Sequence, residues 1–178
     1  MAATESMTSI VAVDFLSDKQ EKRFFYLSLH PDKKRNYMQD SDNMAHPLPG
    51  LKGLMSEHLG IRFMTVEEGK VIATMPVDHR TCQQFGILNG GASLALAETV
   101  AGHGSILLCT HNEMPCGIQV SANHVRMVKV EEGAYVKATG TLIHRGRTTH
   151  IWNIDITNPE GKLISTARVV NQIVKRRI

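Results

Sequence analysis

No segment of this 178-residue chain reads as a membrane span, a disulfide framework or a metal cage. The longest apolar run is interrupted by Glu98 and His103, short of the roughly 20 residues that a bilayer demands. Cysteine is scarce: Cys82, Cys109 and Cys116 are odd in number and lack ligand spacing, which points to a reducing cytoplasm. His144 and His150 invite a metal reading, yet no carboxylate or cysteine near them completes a ligand set, so no metal is expected. Aromatic residues make up only 5%, and no aromatic-laced basic stripe accompanies the net charge of +3; a nucleic-acid partner is not expected. That mild positive balance suits an anionic small ligand. The first residues carry Glu5 and Asp14 and no early cationic cluster, unlike a signal peptide or transit sequence. Internal repeats and low-complexity segments are absent as well.

What remains, 42% hydrophobic and 21% charged residues, is the composition of a globular domain with a substantial core. Residues 1–45 read as a separate, partly helical N-terminal extension, with Ser17 as N-cap of a helix through Lys22 and Phe25. His46-Pro47-Leu48-Pro49-Gly50 punctuates the chain, and the functional domain is assigned to 46–178. Within it, Leu54–Leu59 suggests a helical turn closed by Gly60. Ile61–Val66 and Lys70–Val77 suggest strands joined at Glu67-Glu68-Gly69. Val71, Ala73, Met75 and Val77 share one face at period two. A loop over Asp78–Leu88 precedes a helix from about Gly90 to Leu108. Four further strands are expected at Gly117–Val130, Ala134–His144, Thr149–Thr157 and Leu163–Val174. Their short connections, among them Glu131-Glu132-Gly133, demand antiparallel neighbours and a meander. One long helix wrapped by a curved antiparallel sheet satisfies this order, an α+β fold.

The central helix carries the chemistry. From Phe85 to Thr110 the only charged side chain is Glu98, and so apolar a helix is expected to be buried on nearly every side. A buried carboxylate costs several kcal/mol unless paired or hydrogen-bonded. Glu98 is therefore either satisfied structurally, by Gln83 or Ser93, or used. Gly90-Gly91 at the helix start leaves open N–H groups for a ligand, with Asn89 as a possible N-cap. The stretch lacks the Lys-Ser/Thr ending of a phosphate-binding P-loop. Glu98 follows Gly90 by eight residues, about 12 Å along a helix, whereas reacting atoms and donors must meet within roughly 3 Å. One helix cannot bring both to one carbonyl; two antiparallel copies can. His103 reads as a satisfied core histidine.

The run from Pro76 through Gln83-Gln84-Phe85-Gly86-Ile87-Leu88-Asn89-Gly90-Gly91-Ala92-Ser93 to Leu96-Ala97-Glu98 resembles the hot-dog-fold acyl-CoA thioesterases. Nearest is the branch that hydrolyses 1,4-dihydroxy-2-naphthoyl-CoA and 4-hydroxybenzoyl-CoA. Gly117, Ser121–Arg126 and His144–Arg147 leading into Ile151-Trp152 extend the similarity, which covers Gly53 to about Val174. The resemblance implies a hot-dog fold and hydrolysis of an aromatic or medium-sized acyl-CoA, in menaquinone biosynthesis if the nearest branch is followed. It implies no cofactor, since the CoA thioester is the substrate, and a cytoplasmic homo-oligomer (dimer, or dimer of dimers forming a homotetramer). Glu98 would be nucleophile or general base, the Gly90 N–H would polarise the thioester carbonyl, and Gln83 would orient water or substrate. Gly117, His124, Val125, Arg126, Met127, His144, Arg145, Gly146, Arg147, Thr148 and Thr149 would line the pantetheine and nucleotide track. The cations among them, with Lys129, would face the phosphates. The family usually has His where this chain has Asn89. Asn89 is counted with the catalytic residues, since its amide can still donate a hydrogen bond to the carbonyl or cap the helix, but it cannot shuttle a proton, so an acyl-CoA-binding or regulatory protein with little turnover is the alternative.

Overall fold

The computed structural model describes residues 53–176; the extension expected over 1–45 and the punctuation at His46–Gly50 lie outside them. The element order is α1 (Met55–His58), β1 (Arg62–Glu67), β2 (Lys70–Pro76), α2 (Gly90–Leu108), β3 (Glu113–His124), β4 (Tyr135–Arg145), β5 (Thr149–Thr157) and β6 (Leu163–Lys175). The six strands form one antiparallel sheet in the order β1-β2-β4-β5-β6-β3, and α2 packs across it, touching every strand. This is the α+β hot-dog arrangement.

Period-two burial places the sheet's inner face where the sequence put it. Val71, Ala73, Met75 and Val77 are buried on β2 and just after it, beside Val136 and Ala138 of β4, with Ile154 and Ile156 of β5 one strand further on. From α2 they receive Leu96, Ala97, Val100 and Ala101. Each large aliphatic side chain so buried contributes about 1.5–3 kcal/mol. Gly104 lets Trp152 slide under the helix: a Cβ there would collide with the indole ring. The buried indole N–H donates to Ser105 Oγ at 2.9 Å. Asn171 Nδ2 donates to the same oxygen at 2.9 Å and to the Ala101 carbonyl at 3.0 Å. These bonds tie helix to sheet through polar groups that burial would otherwise leave costly.

Two expectations require correction. Within one copy of the chain the helix is buried along one stripe, Ser93, Leu96, Ala97, Val100, Ala101, Gly104 and Ser105, a three-four spacing that faces the sheet. Its other face carries small and aliphatic residues that are half-buried, with Gly91 and Glu98 exposed. Apolarity alone did not distinguish a core face from an outward one. The third strand is also displaced. It runs Glu113–His124 rather than Gly117–Val130, and it pairs with β6 at the sheet edge rather than with β4. Beyond His124 the chain leaves the sheet. Val125 and Arg126 donate their N–H groups to the Ile164 carbonyl, and the segment then bonds to the loop before α2, through Leu88 N–H to Val128 O at 2.8 Å and Val130 N–H to Gly86 O at 2.9 Å. The Glu131-Glu132-Gly133 turn therefore ends a crossover, not a hairpin.

Candidate active site

The loop before α2 is wound tightly enough to fix where the helix starts. Asp78 pairs with Arg80 at 2.6 Å, and that guanidinium holds the Asp78 carboxyl down at about 2. Thr81 Oγ1 donates to the Pro76 carbonyl at 2.7 Å, and its own carbonyl receives the Asn89 N–H at 2.9 Å. Between them Gln83–Ile87 forms a turn, closed by Gln83 N–H to Ile87 O at 2.8 Å, with Gly86 at φ +68°, a conformation that favours glycine. Asn89 is the N-cap: its side-chain oxygen accepts the Gly91 N–H at 2.7 Å. The preceding N–H, that of Gly90, has no acceptor among the described residues.

A cleft of about 330 Å³ opens at this helix end, lined by Gln83, Gly90, Ser93, His124, Arg126 and Met127 among others. His124, the last residue of β3, brings its ring against the first turn: a Cβ added at Gly90 would stand 2.8 Å from His124 Nε2. Its Nδ1 lies 3.0 Å from Ser165 Oγ, and Ser165 is fully buried. Arg126 is held back by its bond to the Leu163 carbonyl at 2.8 Å. Gln83, Gly90 and His124–Met127 therefore line one cleft, with Asn89 beside it at the helix cap. Ser165 was missed. Its burial in succession with Ile164 on β6 is set by the fold and leaves no mark in the sequence.

The remaining expected residues lie elsewhere on the chain. Glu98 is exposed on the outer face of α2 and makes no hydrogen bond to Gln83 or Ser93. Its carboxylate rests on Gly117 of β3, where any Cβ would strike it. Gly117 adjoins an irregularity in the β3–β6 register, so strand geometry and the missing side chain together make room for the acid. The His144–Thr149 hairpin sits at the opposite end of α2. Arg145 is close enough to the helix C-cap, Cys109, to affect its charge, although burial is the main cause that raises that thiol to about 11. Nineteen helical residues separate the two ends by about 28 Å. In the hairpin Arg145 pairs with Glu68 at 2.7 Å, and the Gly146 N–H donates to the Thr149 carbonyl at 2.8 Å. His150 is buried behind it, and burial lowers its pKa. His103 is half-buried: it stacks on Phe63 at 3.9 Å and bonds through Nδ1 to the Thr99 carbonyl at 3.1 Å, while desolvation lowers its pKa. Among the described residues no cluster of His, Cys, Asp or Glu is arranged to hold a metal, and no helix is long and apolar enough to cross a membrane.

The family model of the thioesterase superfamily matches residues 85–165, the span from the loop turn to Ser165. ComA2 of Bacillus subtilis is 42% identical over 127 residues, 71% of this chain and 98% of its own length. The 1,4-dihydroxy-2-naphthoyl-CoA hydrolase of Escherichia coli is 39% identical over 124 residues, covering 69% and 88%. This chain belongs to the thioesterase superfamily. Solved structures agree with the fold of this thioester hydrolase. A thioesterase from Haemophilus influenzae superimposes with a TM-score of 0.63 at 39% identity, over 67% of this chain and 82% of that one. The thioesterase PA1618 of Pseudomonas aeruginosa, a mutant form, gives 0.68 at 32% identity, over 84% and all of it (100%).

Proposed function

We propose that this thioesterase hydrolyses acyl-CoA esters with an aromatic or medium-sized acyl group, in sites shared between two copies of the chain. The observation that carries the reading is the division of the machinery along α2. The open Gly90 N–H lies in a cleft at the helix start, and the one carboxylate, Glu98, lies two turns on, facing outward beside Gly117. A second α2 running antiparallel brings the Glu98 of the partner subunit to the first copy's cleft. It also brings the partner's far helix end, with His144, Arg145 and Arg147, toward the cleft mouth. The two guanidinium groups there, with the His144 ring as a further hydrogen-bonding group, suit the phosphates of coenzyme A.

In this arrangement the thioester carbonyl points at the Gly90 N–H, where the helix dipole favours developing negative charge. Gln83 orients the attacking water. Glu98 of the partner subunit takes the water proton, the carbonyl carbon gains the oxygen, and the C–S bond breaks with its electron pair on sulfur. The proton held by Glu98 then reaches the thiolate, giving free acid and coenzyme A. Asn89, committed to its cap, is a structural member of this site and transfers nothing.

Thiol release from a panel of CoA esters (hydroxynaphthoyl, hydroxybenzoyl, phenylacetyl and straight-chain) tests the reading. The hydroxynaphthoyl ester belongs in it because two relatives, 33% and 39% identical, carry the name 1,4-dihydroxy-2-naphthoyl-CoA hydrolase. Turnover of an aromatic or medium-chain ester is expected, with Glu98→Ala lowering kcat by on the order of 10²–10⁴-fold. Unchanged rates in Glu98→Ala would sink the mechanism. Tight CoA-ester binding with no turnover of any ester would replace it with a binding role.

A further inference from the structure

His124 occupies a position that the proposed mechanism leaves unused. Its ring is pressed against Gly90 closely enough that no side chain fits between them, so Nε2 stands beside the same helix end as the open Gly90 N–H. Nδ1 is tied to Ser165 Oγ at 3.0 Å, and Ser165 has no accessible surface. The imidazole is thus anchored from behind and presents Nε2 to the cleft that Gln83 and Ser93 also line. Arg126 is bonded to the Leu163 carbonyl, and the Asn89 side-chain oxygen is held by the Gly91 N–H, whereas the His124 ring lies directly on the Gly90 turn.

We infer that His124 is the second donor to the thioester carbonyl, acting beside the Gly90 N–H, and that Ser165 is its positioning residue. This rests on the thioesterase reading given above. In this arrangement the Ser165 hydroxyl is the donor to Nδ1, which leaves the ring proton on Nε2. That proton and the Gly90 N–H then converge on one oxygen. As water bonds to the carbonyl carbon, the C=O π pair moves onto that oxygen and both donors shorten to it. When the pair returns, the C–S bond breaks and sulfur leaves with its electrons; His124 keeps its proton throughout. A fixed pair of donors requires no reorganisation as the charge develops, which is where such groups contribute most.

The experiment compares kcat and KM on the best panel substrate for wild type, His124→Ala, His124→Gln and Ser165→Ala, with thermal melts to confirm folding. His124→Ala should lower kcat by on the order of 10²-fold with KM little changed, the signature of an interaction made in the transition state. Gln, whose amide N–H can point at the same oxygen, should restore part of the loss. Ser165→Ala should lower kcat less, and nitrogen NMR of His124 should show the Nε2–H tautomer in wild type and a mixture in that variant. A raised KM with unchanged kcat makes His124 a handle for coenzyme A and overturns the inference, as does wild-type kcat in His124→Ala; both leave the thioesterase reading standing. Gln no better than Ala assigns proton transfer instead and also overturns it. A wild type inactive on every ester, by contrast, removes the thioesterase reading and the inference with it.

Discussion

Glu98 and Gly117 form a pair in which one residue's chemistry depends on the other's lack of a side chain. The carboxylate lies where a Gly117 Cβ would be, and Gly117 is not among the glycines held at positive φ. Alanine is therefore compatible with the backbone there, and the new methyl meets only the end of a flexible side chain. Gly117→Ala should push the Glu98 carboxylate aside, lowering kcat by about tenfold or more, since small misplacements of a reacting group are costly. The melting temperature should scarcely change. Paired activity and melting measurements test this, and an unaltered kcat would mean that the resting place of Glu98 is not its working place. Asn89 presents the opposite case, a polar residue at the site whose visible work is to satisfy the Gly91 N–H.

At the scale of elements, α2 is positioned by a stripe of small residues rather than by bulk. Gly104 and Ser105 lie over Trp152, and Val100 lies over Gly140, where a Cβ would crowd both Val100 and Ile154. Gly104→Ala forces the indole to move inside a closed core, and overpacking of this kind costs about 1–3 kcal/mol. Urea unfolding followed by the fluorescence of Trp152, the only tryptophan, should show that loss, together with a shift in the native emission. Much of this level was legible beforehand. The helix runs from Gly90 to Leu108 as expected, because caps and apolar length are local signals, and the alternation over Val71–Val77 is local too. The course of β3 was not legible. Whether Val125–Val130 continues a strand depends on the Gln83–Leu88 loop and the Ile164 carbonyl taking its hydrogen bonds, and these are distant partners that no local pattern encodes. The exposure of Glu98 escaped for a related reason: an outward face made of Leu94, Ala95 and Gly102 reads the same as a core face.

For the molecule as a whole, the separation of Gly90 from Glu98 along one rigid helix has a consequence that is independent of which ester is cleaved. In the proposed two-fold assembly every site combines the helix start of one copy with the Glu98 of the other. One defect is Glu98→Ala. The other is Gly90→Pro, which removes the N–H at the first helical position, where proline is best tolerated. Asn89 already has the extended backbone that a following proline prefers, at φ −74° and ψ 134°. The proline ring also displaces His124, but that lesion stays in the same half-site. Each variant alone should be inactive. In a mixed dimer one site collects both defects and the other neither, so co-expressed or co-refolded equal mixtures should regain about a quarter of wild-type activity, because half the dimers are mixed and half their sites intact. Light scattering should report dimers or larger assemblies for each parent. Mixtures that stay inactive while subunit exchange is demonstrated would place Glu98 and Gly90 in separate sites, and the division of labour along α2 would then need another explanation.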